Sequence, residues 1–369
     1  MSNSRVTVRE IARLAGVSVA TVSRVSNGTG QVSPEMRRRV LEAIEKHGYR
    51  PDHLGRALAA RRHGALGLVF PGLSGPYFTE LIQGFESEAM PSRSSVHILC
   101  THLREDSDAQ VLEMGRRVDG VAVVGGTISD GALGRLAQQT PVVVIAGEGP
   151  GDVPSVRAEN TASMAALTRH LLVDHQLRDL VFVGNPAGSP DVTRRWTGFL
   201  DAHRSLGLAP PAAPVPVGLQ QADGVLAAER LFRPGTGTGT GTGSGSGAGA
   251  GAAGGAAESG AAPARPGGVV CANDETALGV LVGALGRGLR VPQDLVITGF
   301  DDAPMAGLVT PGLTTVRQPV RELAAEAARV LLAAAAEPGA PPAPDLLLTT
   351  ELVLRHSCGC PADQATSTP

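Results

Sequence analysis

The chain has 369 residues, 42% hydrophobic and 18% charged, with a formal net charge of -3. That is enough apolar material for several buried cores, and it excludes both a wholly disordered chain and a uniformly basic nucleic-acid binder. The total hides a split, because residues 1–62 carry 12 Lys/Arg against 5 Asp/Glu while the remaining residues carry 20 against 30. A small basic head on an acidic body implies a polyanionic partner for the head alone.

In the head, Thr7 caps a helix from Val8 to Ala15, with Glu10 completing a capping box and Val8, Ile11, Ala12 and Ala15 forming one apolar face. Gly16-Val17 makes the turn. Ser18 caps a second helix through about Val25, whose Val22 and Val25 face inward. Ser33-Pro34 opens a third helix, with Met36, Val40, Leu41 and Ile44 at helical spacing, ending near His47-Gly48-Tyr49. Three short helices with a tight turn between the first two read as a helix-turn-helix over residues 1–49. Residues 50–62 form a short helical run opened by Pro51, marginal in isolation, which reads as a hinge.

From Ala65 the pattern changes to alternating strands and helices. Apolar strands are expected at Leu66–Phe70, Val96–Cys100, Asp119–Gly125, Pro141–Ala146, Leu180–Gly184, Gly268–Ala272 and Val296–Phe300. Helices are expected at Tyr77–Met90, Ala109–Val118, Thr161–Leu172 and Glu275–Arg287. Continuous apolar strands separated by helices predict parallel sheets. Ligands of such sheets bind beyond the carboxyl ends of the strands, which selects Ser74, Tyr77, Phe78, Gly147-Glu148, Asn273-Asp274 and Asp301-Asp302. Residues 235–257 contain only Gly, Ala, Thr and Ser and read as a disordered insertion. Residues 358–369 read as a flexible tail containing Cys358-Gly-Cys360. His170 and His175 flank Asp174 and read as one end of a surface helix.

The run from Thr7 through Arg9-Glu-Ile-Ala and Gly16-Val-Ser-Val-Ala-Thr-Val-Ser-Arg-Val-Ser-Asn27 resembles the head of the LacI/GalR family of bacterial transcription regulators. Similarity continues through Gly48-Tyr-Arg-Pro51 and Ala57-Leu-Ala59, resumes across the body, and reaches Thr350-Glu-Leu-Val353. The resemblance implies an α/β sensor body of two periplasmic-binding-protein-like lobes, with an all-α helix-turn-helix head before it. The body spans residues 63–357, with the first lobe at about 63–158 plus part of 290–325. The second lobe is expected at about 159–290 and 325–357.

The second helix then enters a major groove by its N-terminal end. By resemblance Val19 and Ala20 specify sequence, and they are small and apolar as thymine methyls require. Arg24, one turn on, reaches either a guanine edge or a phosphate. Thr7, Ser18, Thr21, Ser23 and Asn27 offer short donors to phosphate oxygens. Leu58 matches the residue that wedges into the central minor-groove step, its plainer role being helix packing. In the body, Arg195 of Arg-x-x-Gly-Phe199 and Asp301 of Gly-Phe-Asp-Asp match effector-binding positions, and Asn273 matches an effector-contacting Asn. Salt-bridging between lobes is the alternative role for Arg195 and Asp301. Ala146-Gly147 stands where many members carry an Asp, and Glu148 is the nearest substitute.

The implied partners are double-stranded operator DNA, a carbohydrate-like small-molecule effector and a second copy of the chain as a homodimer, in a nucleoid-associated setting. No membrane partner, cofactor, metal or catalytic residue is expected, since no dinucleotide loop, P-loop or metal-hydrolase motif occurs. The reading is a transcriptional repressor. A regulator of a non-sugar metabolite, or a ligand sensor without operator control, is the alternative.

Overall fold

The computed structural model describes residues 6–27, 31–49, 63–232 and 266–361. The chain divides into two units, residues 1–63 and 64–369. The expected hinge at 50–62 with Leu58, and the 235–257 insertion, lie outside the described residues.

The first unit holds α1 (Val8–Ala15), α2 (Val19–Asn27) and α3 (Pro34–Lys46). The Thr7 hydroxyl accepts from the Glu10 amide at 3.3 Å, and Ser18 and Ser33 do the same for Thr21 and Met36. Gly16 closes α1 with φ 62, a left-handed conformation natural to glycine. Ile11, Ala12, Ala15, Val22, Val25, Val40 and Ala43 form the core. Met36 and Leu41 are 45% and 49% exposed, so the buried stripe of α3 runs through Val40, Ala43 and the half-buried Ile44 instead.

The second unit is built on two parallel sheets. In the first lobe β1 (Ala65–Phe70), β2 (Ser95–Cys100), β3 (Val121–Val124), β4 (Val142–Ile145), β5 (Ser155–Ala158) and β10 (Leu346–Leu348) lie in the order β10-β5-β4-β3-β1-β2. Side chains alternate across this sheet as a pleat requires. Leu66, Leu68 and Phe70 pack on α4 (Pro76–Ala89) and α11 (Val320–Ala336). Ala65 and Val69 face the opposite cluster, which includes Val111 of α5 (Ser107–Gly115) and Leu133 and Leu136 of α6 (Asp130–Ala137).

In the second lobe β6 (Leu180–Val183), β7 (Gly268–Cys271) and β8 (Val296–Thr298) pair in that order. They are flanked by α7 (Thr161–Val173), α8 (Pro190–Ser205), α9 (Gln221–Leu231) and α10 (Asp274–Leu285). The chain passes between lobes three times, at Glu159-Asn160, at Gln318-Pro319 and at Thr349-Thr350. The second passage follows β9 (Thr315–Arg317), and the third leads into β11 (Glu351–Val353), which pairs antiparallel with β9.

This corrects the lobe boundaries expected from sequence. Residues 320–348 belong to the first lobe, because Leu323, Ala324, Ala327, Ala328 and Leu331 of α11 are buried against α4 and the sheet. Residues 290–317 belong to the second lobe, where Leu295, Ile297 and Phe300 join its cores. The flexible tail is also corrected. Cys358 and Cys360 are 1% and 5% exposed and pack into the second lobe, so the C-terminal segment is structured at least to residue 361.

Glycine outside the insertion also has an unexpected use. Gly224 of α9 and Gly279 of α10 lie at a helix crossing where a Cβ on either would run into the other helix's backbone, at the Thr276 and Gln221 carbonyl oxygens. Gly→Ala in a helix ordinarily gains about 1 kcal/mol. Gly279→Ala should instead lose about 1–3 kcal/mol through overpacking, read as a lowered denaturant midpoint at unchanged m-value.

Candidate functional site

Two surfaces bear on function, one in each unit. On the head, burial of Val22 and Val25 turns the other side of α2 to solvent. Val19 is 43% exposed, and Ala20, Ser23 and Arg24 are exposed beside it. The helix thus presents an apolar first turn followed by a guanidinium one turn on. The Ser18 and Thr21 hydroxyls bond each other at 2.9 Å, which spends one of their two protons and leaves one O–H for an external acceptor. The Thr7 oxygen accepts the Glu10 amide and keeps its own proton to donate. Asn27 ends α2, and its side chain lies outside the described residues. Arg13 stands 3.9 Å from Glu10 in an exposed pair worth little energetically.

In the body, a cleft of about 1080 Å³ opens between the lobes, at the carboxyl ends of β1, β6 and β7 and the chain after β8. Ser74, Tyr77, Phe78, Arg195, Asn273 and Asp301, chosen from sequence, all line it. One wall is aromatic. Pro76 opens α4 and sets Tyr77 and Phe78 on its first turn, where Phe78 stacks on the buried Phe70 with centroids 5.2 Å apart. Ser74 sits exposed at the mouth.

The floor is charged and buried. Arg195, 4% exposed, donates through Nε to Asn160 Oδ1 at 2.7 Å and through Nη1 to the Ala272 carbonyl at 2.6 Å. Its guanidinium lies 3.3 Å from Asp301 Oδ1 and 3.9 Å above the Phe300 ring. Asp301 also accepts from Gln318 Nε2 at 2.6 Å. Its backbone has φ 117, a strained conformation costing on the order of 1–3 kcal/mol. The strand bond from its amide to the Val316 carbonyl, 2.8 Å, holds it there.

Burial lifts the Asp301 carboxyl to about 6, against the opposing pull of Arg195 and Gln318. Burial likewise raises Asp191, a lining residue of α8, although Arg195 and Arg194 oppose it. Tyr77 is pushed upward by burial and then by the fields of Asp191 and Asp301, so its phenol stays a neutral donor.

Several residues at or near the cleft have structural roles. Asn273 caps α10, its Oδ1 accepting from the Thr276 amide while its Nδ2 donates to the Leu219 carbonyl, so only its remaining lone pair and proton face a ligand. Glu148 does not line the cleft and cannot replace the missing Asp there. It is held by Arg157 and Arg194, each 2.9 Å away, and those cations keep its carboxyl low. Asp302 is bound by Arg317 and Arg355, and the fully buried Asp274 by Thr315 and the Ala303 amide. Both shape the turn carrying Asp301.

Asp191 and Gln318 were not singled out from sequence. Gln318 is 5% exposed, and its Oε1 has no partner among the described residues while its amide nitrogen is committed to Asp301. A buried acceptor left open in a cleft suits a ligand donor.

A regulatory-protein family described as bacterial regulatory proteins, lacI family, matches residues 7–52. Residues 63–263 match the periplasmic binding proteins and sugar binding domain of LacI family, and residues 169–358 a periplasmic binding protein-like domain. Catabolite control protein A of Priestia megaterium is 30% identical over 333 residues, 88% of this chain and 91% of that protein. Two solved structures share the fold. One is the lac repressor dimer bound to operator and the anti-inducer ONPF, with TM-score 0.78 and 21% identity over 96% of this chain and 99% of that one. The other is a LacI family transcriptional regulator from Enterococcus faecium with bound ribose, with TM-score 0.65 and 22% identity over 79% and 98%.

The Asp301 shift has a measurable sign. Between pH 3.8 and about 6 the folded protein keeps a proton that the unfolded chain releases. This group's contribution to stability therefore falls as pH rises through that window and is level above it. The difference in melting temperature between wild type and Asp301→Asn should move in favour of the variant from pH 4 to 6 and stay constant to pH 8.

Proposed function

Because the chain belongs to the LacI/GalR family of bacterial transcriptional regulators, we propose that it represses transcription by binding a pseudopalindromic operator as a homodimer under control of a polyhydroxylated small molecule. The observation that carries the effector half is the cleft floor. Arg195 and the Tyr77 phenol are donors, while Asp301, Asp191 and the open Gln318 Oε1 are acceptors, all beneath an aromatic wall. Alternating donors and acceptors under a ring face suit the hydroxyls and the C–H face of a sugar. The ribose held by the Enterococcus faecium relative supports that ligand class. Replacement of the family's Asp by Ala146 at the cleft favours a sugar derivative lacking one hydroxyl contact over an ordinary monosaccharide.

The operator half rests on α2. Val19 and Ala20 read thymine methyls, Arg24 reads a guanine edge, and Thr7, Ser18, Thr21, Ser23 and Asn27 hold phosphates. One head spans only a few base pairs, so a two-fold pair is required. Val282 and Leu285 of α10, 63% and 44% exposed, with Leu226 of α9, 48% exposed, offer an apolar face for the second copy. Leu58 wedges the centre of the operator. The effector shifts the closure of the two lobes and with it operator affinity.

The test is selection of genomic fragments by the full chain, followed by gel shift against salt. One pseudopalindrome bound far more tightly than bulk DNA is expected, and only length-dependent, salt-labile retention would reject operator control in favour of a ligand sensor. Arg24→Ala should cost about 1–3 kcal/mol per half-site and relax preference at one base pair, whereas a phosphate role would weaken all sequences alike.

A further inference from the structure

A second polar cluster lies in the second lobe, at the end of β6 opposite the cleft. α7 ends at Val173, and the turn after it folds His175 back beside His170, their Nε2 atoms 3.1 Å apart. The C-terminal turn at His356–Cys358 brings two thiols to the same point. The Cys358 and Cys360 Sγ atoms are 3.3 Å apart, and Cys360 Sγ lies 3.4 Å from His170 Nε2 and 3.5 Å from His175 Nε2. All four atoms fall within 4.8 Å of one another.

As hydrogen-bonding groups these are poor partners, since a thiol is a weak donor and a weak acceptor. As ligands they fit closely. A tetrahedral ion with bonds of about 2.3 Å to sulfur and about 2.0–2.1 Å to nitrogen sets its ligand atoms roughly 3.3–3.8 Å apart. Four of the six separations need to open by only a few tenths of an ångström to reach that geometry, and the two from Cys358 Sγ to the imidazole nitrogens, within 4.8 Å, need to close by about 1 Å at most. A second feature points the same way. His170 Nδ1 lies 2.7 Å from Asp174 Oδ2, the carboxylate–histidine arrangement that leaves Nε2 as the coordinating nitrogen.

We propose that His170, His175, Cys358 and Cys360 form a structural zinc site. Two thiolates and two imidazoles select zinc over hard cations such as calcium and magnesium. With four protein ligands the site is closed, so its role is cross-linking rather than catalysis. It fastens the chain's C-terminal segment to a helix end 190 residues earlier. That segment also braces the sheet. Ser357 Oγ donates to the Ile297 carbonyl at 2.6 Å and accepts from the Thr314 amide at 2.8 Å, and Thr314 Oγ1 donates to Cys358 Sγ at 3.0 Å. The ion would hold β8, and the chain entering β9, from below.

Full-length protein purified without metal-affinity resin should retain about one zinc per chain by mass spectrometry of its metals. The Cys358→Ser/Cys360→Ser double variant should retain less than about a tenth of that. Chelation should lower the melting temperature of the wild type and zinc should restore it. Cobalt(II) added to the chelated wild type should give tetrahedral d–d bands and thiolate-to-cobalt charge transfer, a readout independent of whether the variant folds. A wild type that retains no zinc and binds cobalt without those bands, a Cys358–Cys360 disulfide in peptide mapping, or undiminished zinc in the double variant would each overturn the site.

Discussion

The sensor body is organised around one buried cation. Removing the Arg195 guanidinium from water costs several kcal/mol unless all its faces are satisfied. Its Nε, its Nη1 and one face are met by groups from three places in the chain: Asn160 at the first passage between lobes, the Ala272 carbonyl at the end of β7, and Asp301 with Phe300 just after β8. The arginine therefore fastens the first passage to the second lobe's sheet and to the strained turn that leads toward the second. Asp301 in turn holds Gln318, which sits on that second passage. A ligand that bonds to any member of this chain of contacts acts directly on segments that connect the lobes.

That arrangement gives effector control a physical basis. The lobes are joined by three short passages whose backbones bond to one another, as where the Glu159 amide meets the Leu348 carbonyl at 2.8 Å. Relative movement of the lobes must be absorbed there. Glu159 accepts from the Ala162 and Ser163 amides, so the first passage leads directly into the first turn of α7. A ligand shifts such an equilibrium only by its difference in affinity for the two lobe arrangements. Gln318 Oε1, a buried acceptor without a partner among the described residues, is a group through which a ligand would supply such a difference.

The head was legible in the sequence because its signals are local. Caps at Thr7, Ser18 and Ser33, a left-handed turn at Gly16 and an i, i+3, i+4 apolar stripe each lie within a few residues. The strands were legible as continuous apolar runs, since both faces of each inner strand are covered. Arg195 was reached through a family resemblance, and the rule about strand ends reached Ser74, Tyr77, Phe78, Asn273 and Asp301. What escaped was non-local. α11 was not among the elements expected from sequence, and only packing assigns it to the first lobe. Asp191 and Gln318 carry no motif, and their importance comes from burial beside charges far away in sequence. Cys358-Gly-Cys360 looked like a tail because its partners, His170 and His175, lie on the far side of the lobe's sequence.

The central claim is that the cleft and the operator face are two ends of one equilibrium. Its most direct test is a linkage measurement: effector affinity with and without saturating operator, and operator affinity with and without saturating effector, using a saccharide identified by thermal shift. The account predicts that the two ratios are equal and differ from one. Effector that binds in the cleft yet leaves operator affinity unchanged would contradict it.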